Sequence, residues 1–205
     1  RRSKKEYGLM KIENNADLKK MTTFKMGGTA SKLYTPETEN ELINLIQDEH
    51  PQYFIGGGSN IIINTREFDS VVNLREFNST IENKGNGIYI VGASVRLQKL
   101  IKTINADGYG GIEYLYSVPG LVGGAVVMNA GRGKSFNKCI SDYIESVKVF
   151  CSGHVYWMEK ADCKFSYRMS NFQHDDAVVL AVRFKFNKTS LETSEALRKE
   201  RLELC

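Results

Sequence analysis

One run of bare backbone constrains this chain more than any other feature: Tyr53-Phe54-Ile55-Gly56-Gly57-Gly58-Ser59-Asn60-Ile61-Ile62-Ile63-Asn64. Three consecutive glycines, then Ser59 and Asn60, lie between two apolar runs, so side chains are given up where a buried strand could have continued. Glycine permits positive φ and lets a ligand approach the main chain closely. Successive exposed N–H groups form a concave nest suited to anionic oxygens, to which the Ser59 hydroxyl and Asn60 amide can add bonds. A pyrophosphate fits this demand. Two familiar phosphate cradles do not: a dinucleotide fingerprint starts a helix at its glycines, whereas a β-branched run follows here, and a P-loop needs a Lys before Ser or Thr. Taken alone, the triplet reads first as a tight turn or bulge.

A second glycine cluster changes the balance. Eight of the 18 glycines fall between Gly108 and Gly133, in a segment otherwise apolar. Its centre reads Tyr116-Ser117-Val118-Pro119-Gly120-Leu121-Val122-Gly123-Gly124-Ala125, followed by Met128-Asn129-Ala130-Gly131. Apolar residues interleaved with bare backbone can line the face of a flat aromatic ring; a close crossing of two chain segments needs the same composition. Two such loops can grip one extended ligand.

The flanking pattern mixes strands and helices without a repeated βαβ period. Thr35-Pro36 starts a predicted helix with an apolar stripe of Leu42, Ile43, Leu45 and Ile46, stopped by His50-Pro51. Strands are expected at 32–34, 52–55, 61–63 and 70–74, then a pair at 79–83 and 88–92 joined through Lys84-Gly85-Asn86-Gly87. Ser94 is placed to cap a helix carrying Leu97, Leu100, Ile101 and Ile104, with Gly108 at its end. A hairpin around Ser152-Gly153 and a strand over 178–186 follow, and Thr189 with Glu192 reads as a capping box opening a charged last helix.

Composition bounds the function. The 205 residues are 41% hydrophobic and 25% charged, ordinary for a folded chain. A net charge of +4 spread along the sequence falls short of a nucleic-acid footprint, which needs a clustered basic face. No apolar run reaches the roughly 20 residues that span a bilayer, and the basic start Arg1, Arg2, Lys4, Lys5 leads into polar sequence, so no membrane association and a cytoplasmic location are expected. Cys139, Cys151, Cys163 and Cys205 are widely spaced without a CxxC, which points to reduced thiols and to no metal site.

With both glycine loops in view, together with Thr22-Thr23-Phe24-Lys25-Met26-Gly27-Gly28 upstream and Phe165-Ser166-Tyr167-Arg168-Met169-Ser170 downstream, the chain resembles the UDP-N-acetylenolpyruvoylglucosamine reductase (MurB) family. The four motifs occur in the family's order across about 21–186. The resemblance implies an α+β, FAD-binding fold of the vanillyl-alcohol-oxidase (PCMH) type with two subdomains. Their expected limits are 1–66, an α/β subdomain, and 67–188, with an antiparallel sheet; 189–205 is expected to be a linker helix toward an absent third domain.

The same resemblance implies site residues. Gly56, Gly57, Gly58, Ser59 and Asn60 would meet the FAD pyrophosphate, and the segment with Ser117, Pro119, Gly120, Gly123, Gly124 and Ala125 would run along the flavin. Arg168 matches the active-site arginine that stabilises the enolate, a role suited to a permanently charged fork of donors, and Tyr167 matches a substrate-pocket position. The implied reaction reduces UDP-N-acetylglucosamine enolpyruvate to UDP-N-acetylmuramate with NADPH as co-substrate, for peptidoglycan precursor synthesis.

Departures from the family pattern qualify that expectation. Leu121 stands where a small hydroxyl residue is usual, and Arg132-Gly133-Lys134 replaces small and aromatic residues. The family's proton-donating serine and its C-terminal glutamate have no counterpart in these residues, so little turnover by this chain alone is expected unless a partner chain supplies that domain. A non-catalytic flavin- or nucleotide-binding module is the alternative. A related FAD oxidase with a covalent flavin is disfavoured, because His50, His154 and His174 lie outside both glycine clusters.

Overall fold

The computed structural model describes residues 10–51, 53–132, 138–174 and 176–204. They form two units, the first reaching Asn78 and the second starting at Ser79.

Among the described residues, the first unit is a four-stranded sheet with one α-helix. Its strands are β1 (Lys11–Asp17), β2 (Thr29–Thr35), β3 (Tyr53–Ile55) and β4 (Glu67–Asn73), in the order β1-β2-β4-β3. β1 is antiparallel to β2, whereas β4 runs parallel to both β2 and β3. Helix α1 (Glu39–Glu49) connects β2 to β3. Its cap is Thr38, not Thr35: the Thr38 hydroxyl accepts from Glu41 N, and the Glu41 carboxylate accepts from Thr38 N, a reciprocal box that satisfies two otherwise unpaired donors. At the other end His50, with φ of 47°, breaks the helix just before Pro51. Leu42 and Leu45 are fully buried, each contributing about 1.5–3 kcal/mol.

Two expectations about this unit are corrected. The run 61–63 is not a strand: Ile61 and Ile63 pack against the core of Leu18, Met21, Leu33, Ile55 and Val71 without joining a ladder, and Ile62 is exposed. The division between units falls after Asn78 instead of after residue 66, because β4 is paired on both sides within this sheet. β1 was not anticipated.

The second unit begins with β5 (Ile81–Gly85) and β6 (Ile88–Gly92), followed by two-residue strands β7 (Tyr109–Gly110), β8 (Gly131–Arg132) and β9 (Lys138–Cys139). Then come β10 (Ile144–Cys151), β11 (His154–Glu159), β12 (Val178–Lys185) and the short β13 (Asn187–Lys188). The main sheet is antiparallel, in the order β11-β10-β12-β6-β5. Asn86 and Gly87 turn β5 into β6, and Ser152 and Gly153 turn β10 into β11; all four have positive φ, as tight hairpin turns require.

Among the described residues, three α-helices belong to this unit: α2 (Leu97–Ala106), α3 (Val122–Val127) and α4 (Leu191–Glu203). α2 buries Leu97, Leu100, Ile101 and Ile104, the periodic stripe read from sequence, but Arg96 and not Ser94 occupies its N-cap, without a side-chain cap bond. α4 is capped by Ser190, one residue past the expected Thr189, with the Ser190 hydroxyl accepting from Thr193 N at 3.1 Å. It is docked onto its own unit: the Ser194 hydroxyl donates to buried Glu113, and the Arg198 guanidinium lies 5.4 Å from the centre of the Tyr116 ring.

Candidate functional site

The glycine triplet sits where the first unit's topology puts a ligand loop. It leaves the carboxyl end of the parallel strand β3, the end of such sheets that carries binding loops. Gly58 has φ of +70°, and a Cβ there would overlap Met21 O, so this position requires glycine for conformation and for space. Gly58 O accepts from Thr23 N at 3.0 Å, which brings the Thr22–Gly28 motif against the triplet. Thr22 closes that motif on itself, its hydroxyl donating to Met26 O at 2.7 Å. Among the described residues, the amides of Gly57, Gly58, Ser59 and Asn60 donate to no intramolecular acceptor.

Sequence reasoning missed the residue beneath this loop. Arg75, just past β4, donates from Nε to Gly56 O at 3.2 Å, and from Nη2 to Gly57 O at 3.2 Å and Met21 O at 2.6 Å. Its only sequence signal was a lone arginine after the apolar end of a strand.

In the second unit, the Ser117–Ala125 segment divides into two kinds of position. Gly123 serves packing: its amide donates to Ala93 O at 2.8 Å, and a Cβ would lie 3.0 Å from Ala93 Cβ. Ala125 is buried beside it. Gly124, by contrast, has no atom within 4 Å of where its Cβ would be and is exposed, as is Pro119. Gly120 accepts from Leu97 N, tying the loop to the start of α2. The Ser117 hydroxyl is buried with no hydrogen-bond partner among the described residues. Leu121 is the N-cap of α3 and makes no side-chain cap bond, which a hydroxyl residue there could have made.

Tyr167 and Arg168 occupy a tight turn in which Ser166 and Met169 exchange backbone bonds of 3.0 and 3.2 Å. Arg168 has φ of +58°, its guanidinium carbon lies 5.9 Å from the centre of the Tyr167 ring, and it pairs with no described carboxylate. Three side chains fasten this turn to the end of α3. Asn129 Nδ2 donates to Ser166 O, the Ser170 hydroxyl donates to Val127 O, and Gln173 Nε2 donates to both Val127 O and Arg168 O. The structure thus brings the Arg168 turn and the second glycine cluster together. Nearby, burial and Asp142 push the Cys139 thiol above its ordinary range, partly offset by Arg168.

A cavity of about 310 Å³ lies elsewhere in this unit, lined by Glu113, Tyr114, Arg132, Lys138 and Arg201 among others, and it contains none of the expected site residues. Of the Arg132-Gly133-Lys134 departure, Gly133 and Lys134 lie outside the described residues.

Residues 30–158 match the FAD binding domain family. The UDP-N-acetylenolpyruvoylglucosamine reductase of Clostridium kluyveri is 33% identical over 186 residues, covering 88% of this chain and 60% of that protein. The crystal structure of UDP-N-acetylenolpyruvylglucosamine reductase (MurB) from Thermus caldophilus matches with a TM-score of 0.81 at 30% identity, covering 95% of this chain and 69% of that one. The chain belongs to the UDP-N-acetylenolpyruvoylglucosamine reductase family. It spans 60% and 63% of the length of two of the curated relatives it matches. A solvent-stable cholesterol oxidase, 11% identical, matches with a TM-score of 0.61 over 87% of this chain and 38% of that one, which shows a shared fold alone. The fold is therefore the FAD-binding fold of the vanillyl-alcohol-oxidase type.

The residues present fit the MurB family's flavin. In the first unit, a glycine at positive φ with no room for a Cβ and four amides that donate to no described acceptor suit a dinucleotide's anionic oxygens; in the second unit, taken by itself, the buried Ser117 hydroxyl has no partner among the described residues and suits a polar edge. No helix among the described residues is long and apolar enough to cross a membrane.

Proposed function

We propose that this chain is the FAD-holding part of an enzyme that uses NADPH to reduce UDP-N-acetylglucosamine enolpyruvate to UDP-N-acetylmuramate in the cytoplasm. The observation that carries the reading is the row of unpartnered amides from Gly57 to Asn60, in a member of a flavin-dependent reductase family. Those amides and the Ser59 and Asn60 side chains bind the pyrophosphate. Ser117, Gly120 and Gly124 accommodate the remainder through a hydroxyl and bare backbone. Bound FAD supplies the redox chemistry that no side chain can.

Arg168 acts on the substrate. An exposed guanidinium with no carboxylate partner among the described residues is available to hold the enolpyruvyl carboxylate and the negative charge that develops there as the double bond is reduced. Tyr167, 59% exposed beside it, offers an aromatic wall with a hydroxyl to the same substrate. Protonation of the substrate carbon requires a donor that, by family resemblance, belongs to a further domain.

The test is an absorbance scan of the purified chain followed by titration of apoprotein with FAD. Stoichiometric uptake with a flavin visible band is expected, and protein that takes up no FAD overturns the reading. NADPH oxidation dependent on the enolpyruvyl substrate separates the reductase from a non-catalytic flavin-binding module. For these 205 residues alone that turnover is expected to be small, because they span 60% of the Clostridium kluyveri relative.

A further inference from the structure

We infer that Arg75 determines which way the peptides of the glycine triplet face, aiming their amides at the cofactor's pyrophosphate; this rests on the FAD-binding reading above. A peptide unit is planar and trans, so the C=O of one residue and the N–H of the next point in opposite directions. Fixing a carbonyl therefore fixes the amide that follows it. Arg75 Nε holds Gly56 O and Nη2 holds Gly57 O, each at 3.2 Å, which sets the amides of Gly57 and Gly58 on the side away from the guanidinium. Thr23 N holds Gly58 O at 3.0 Å, and the amide of Ser59 follows by the same logic. The orientation of three consecutive donors is thereby set by held carbonyls, two of them by Arg75, and these are among the amides that find no partner in the described structure.

A triglycine run needs such an anchor. Glycine peptides reorient with little steric resistance, and a flip would present a carbonyl oxygen where the nest needs a donor, repelling an anion. Arg75 is well placed to prevent this. Ile55 and Asn73 are paired at the carboxyl ends of the parallel strands β3 and β4, so residues that follow each strand emerge side by side. Asn73 fixes the backbone there, its Oδ1 accepting from Arg75 N at 3.1 Å while its Nδ2 donates to the Thr35 hydroxyl at 3.3 Å. The same guanidinium also holds Met21 O at 2.6 Å, so it clamps the Thr22–Gly28 motif to the triplet. A planar fork can serve three carbonyls at once, whereas a lysine ammonium on a flexible stem offers a point charge. Arg75 is a positioning residue: it acts on the cofactor through the loop.

The experiment compares wild type, R75A and R75K in the 205-residue chain. Flavin fluorescence gives the Kd for FAD, ³¹P NMR of bound FAD reports the pyrophosphate surroundings, and the visible flavin band reports the distant ring. R75A is expected to raise the Kd about tenfold or more, the scale of one lost charged hydrogen bond, and to shift the ³¹P resonances while the saturated visible band stays as in wild type. R75K is expected to restore part of the affinity. A folded R75A with wild-type Kd and ³¹P resonances overturns the inference and leaves the FAD reading intact. Should R75A not fold, R75K decides, and wild-type Kd in R75K overturns the inference. Failure of wild type to take up FAD overturns both.

Discussion

Asn129 Nδ2 donates to Ser166 O at 2.7 Å, and this bond ties the turn carrying Tyr167 and Arg168 to the residue that follows the C-cap of α3. Asn129 is 2% exposed, has φ of +40°, and also accepts from Ser141 N at 3.3 Å through Oδ1. N129A leaves Ser141 N without its acceptor, at about 1–3 kcal/mol, removes one of the two donors to Ser166 O, which keeps Met169 N, at about 0.5–1.5 kcal/mol, and places an alanine without local bonds in the left-handed region. A stability loss of about 2–4 kcal/mol in urea denaturation is expected on that basis. N129G relieves only the backbone strain, so it should recover a minor part. A glycine variant as stable as wild type would show that the two hydrogen bonds contribute nothing.

Gly58 and Gly124 separate conformational from ligand demands on glycine. G58A forces a Cβ into Met21 O at φ of +70°, so the loop must shift, and both stability and FAD affinity are expected to fall. G124A meets no neighbour and lies in a helix, where alanine is favoured over glycine by about 0.8–1 kcal/mol. Stability should therefore rise. If the flavin approaches bare backbone there, FAD affinity falls in the same variant; thermal unfolding and flavin titration measure the two effects. A G124A chain with higher stability and unchanged affinity removes Gly124 from the cofactor contact.

How much of this was legible depended on whether a residue's role was local. The α2 stripe, the Asn86-Gly87 and Ser152-Gly153 turns and the first glycine-rich loop follow from short-range spacing, and each is where the sequence reading puts it, whereas Gly123, Gly124 and Ala125 of the second expected loop lie in α3. β1 was hidden because Lys11–Asp17 buries only Ala16, so no alternation marks it. The run 61–63 misled because β-branched residues suit any half-buried surface, whether or not a ladder forms. The first unit's limit depends on β4 pairing between β2 and β3, a non-local choice. In the site, bare backbone was visible while its anchor Arg75 was not, since contact between Arg75 and Met21 spans 54 residues. The second cluster looked uniform in sequence, yet Gly123 packs on Ala93 while Gly124 stays open.

Glu113 is the pin of α4. The carboxylate is 3% exposed and accepts from Asn105 Nδ2 at 2.8 Å, Gly111 N at 2.8 Å and the Ser194 hydroxyl at 3.2 Å. E113Q replaces an acceptor with a donor facing donors and is expected to cost about 1–3 kcal/mol; E113A should cost more, because it also opens a cavity. Amide exchange over 191–203 is expected to quicken in both variants. In a double-mutant cycle with S194A, the two losses should fall short of additivity by about 0.5 kcal/mol or more. Strict additivity, with α4 protection unchanged, would mean that the helix is held by other contacts.

Cys163 gives a pH signature. It is fully buried, its thiol donates weakly to Glu159 O at 3.4 Å, and burial, then Asp162 and Glu159, push its pKa up to about 12. An unfolded thiol ionises near about 8.5. The folded state therefore keeps its proton between those values while the unfolded state releases it. The stability this group contributes is complete below about 8.5 and is lost as pH rises through about 12, with about 2 kcal/mol gone by pH 10. Replacing it by alanine costs packing at every pH but should flatten the alkaline arm of the stability curve by that amount. Independently, iodoacetamide at pH 8.5 should label Cys163 more slowly than a peptide thiol by about 100-fold or more, read by mass spectrometry of intact folded protein. Labelling at the peptide rate, or an alkaline slope identical in wild type and C163A, contradicts a buried, proton-retaining thiol.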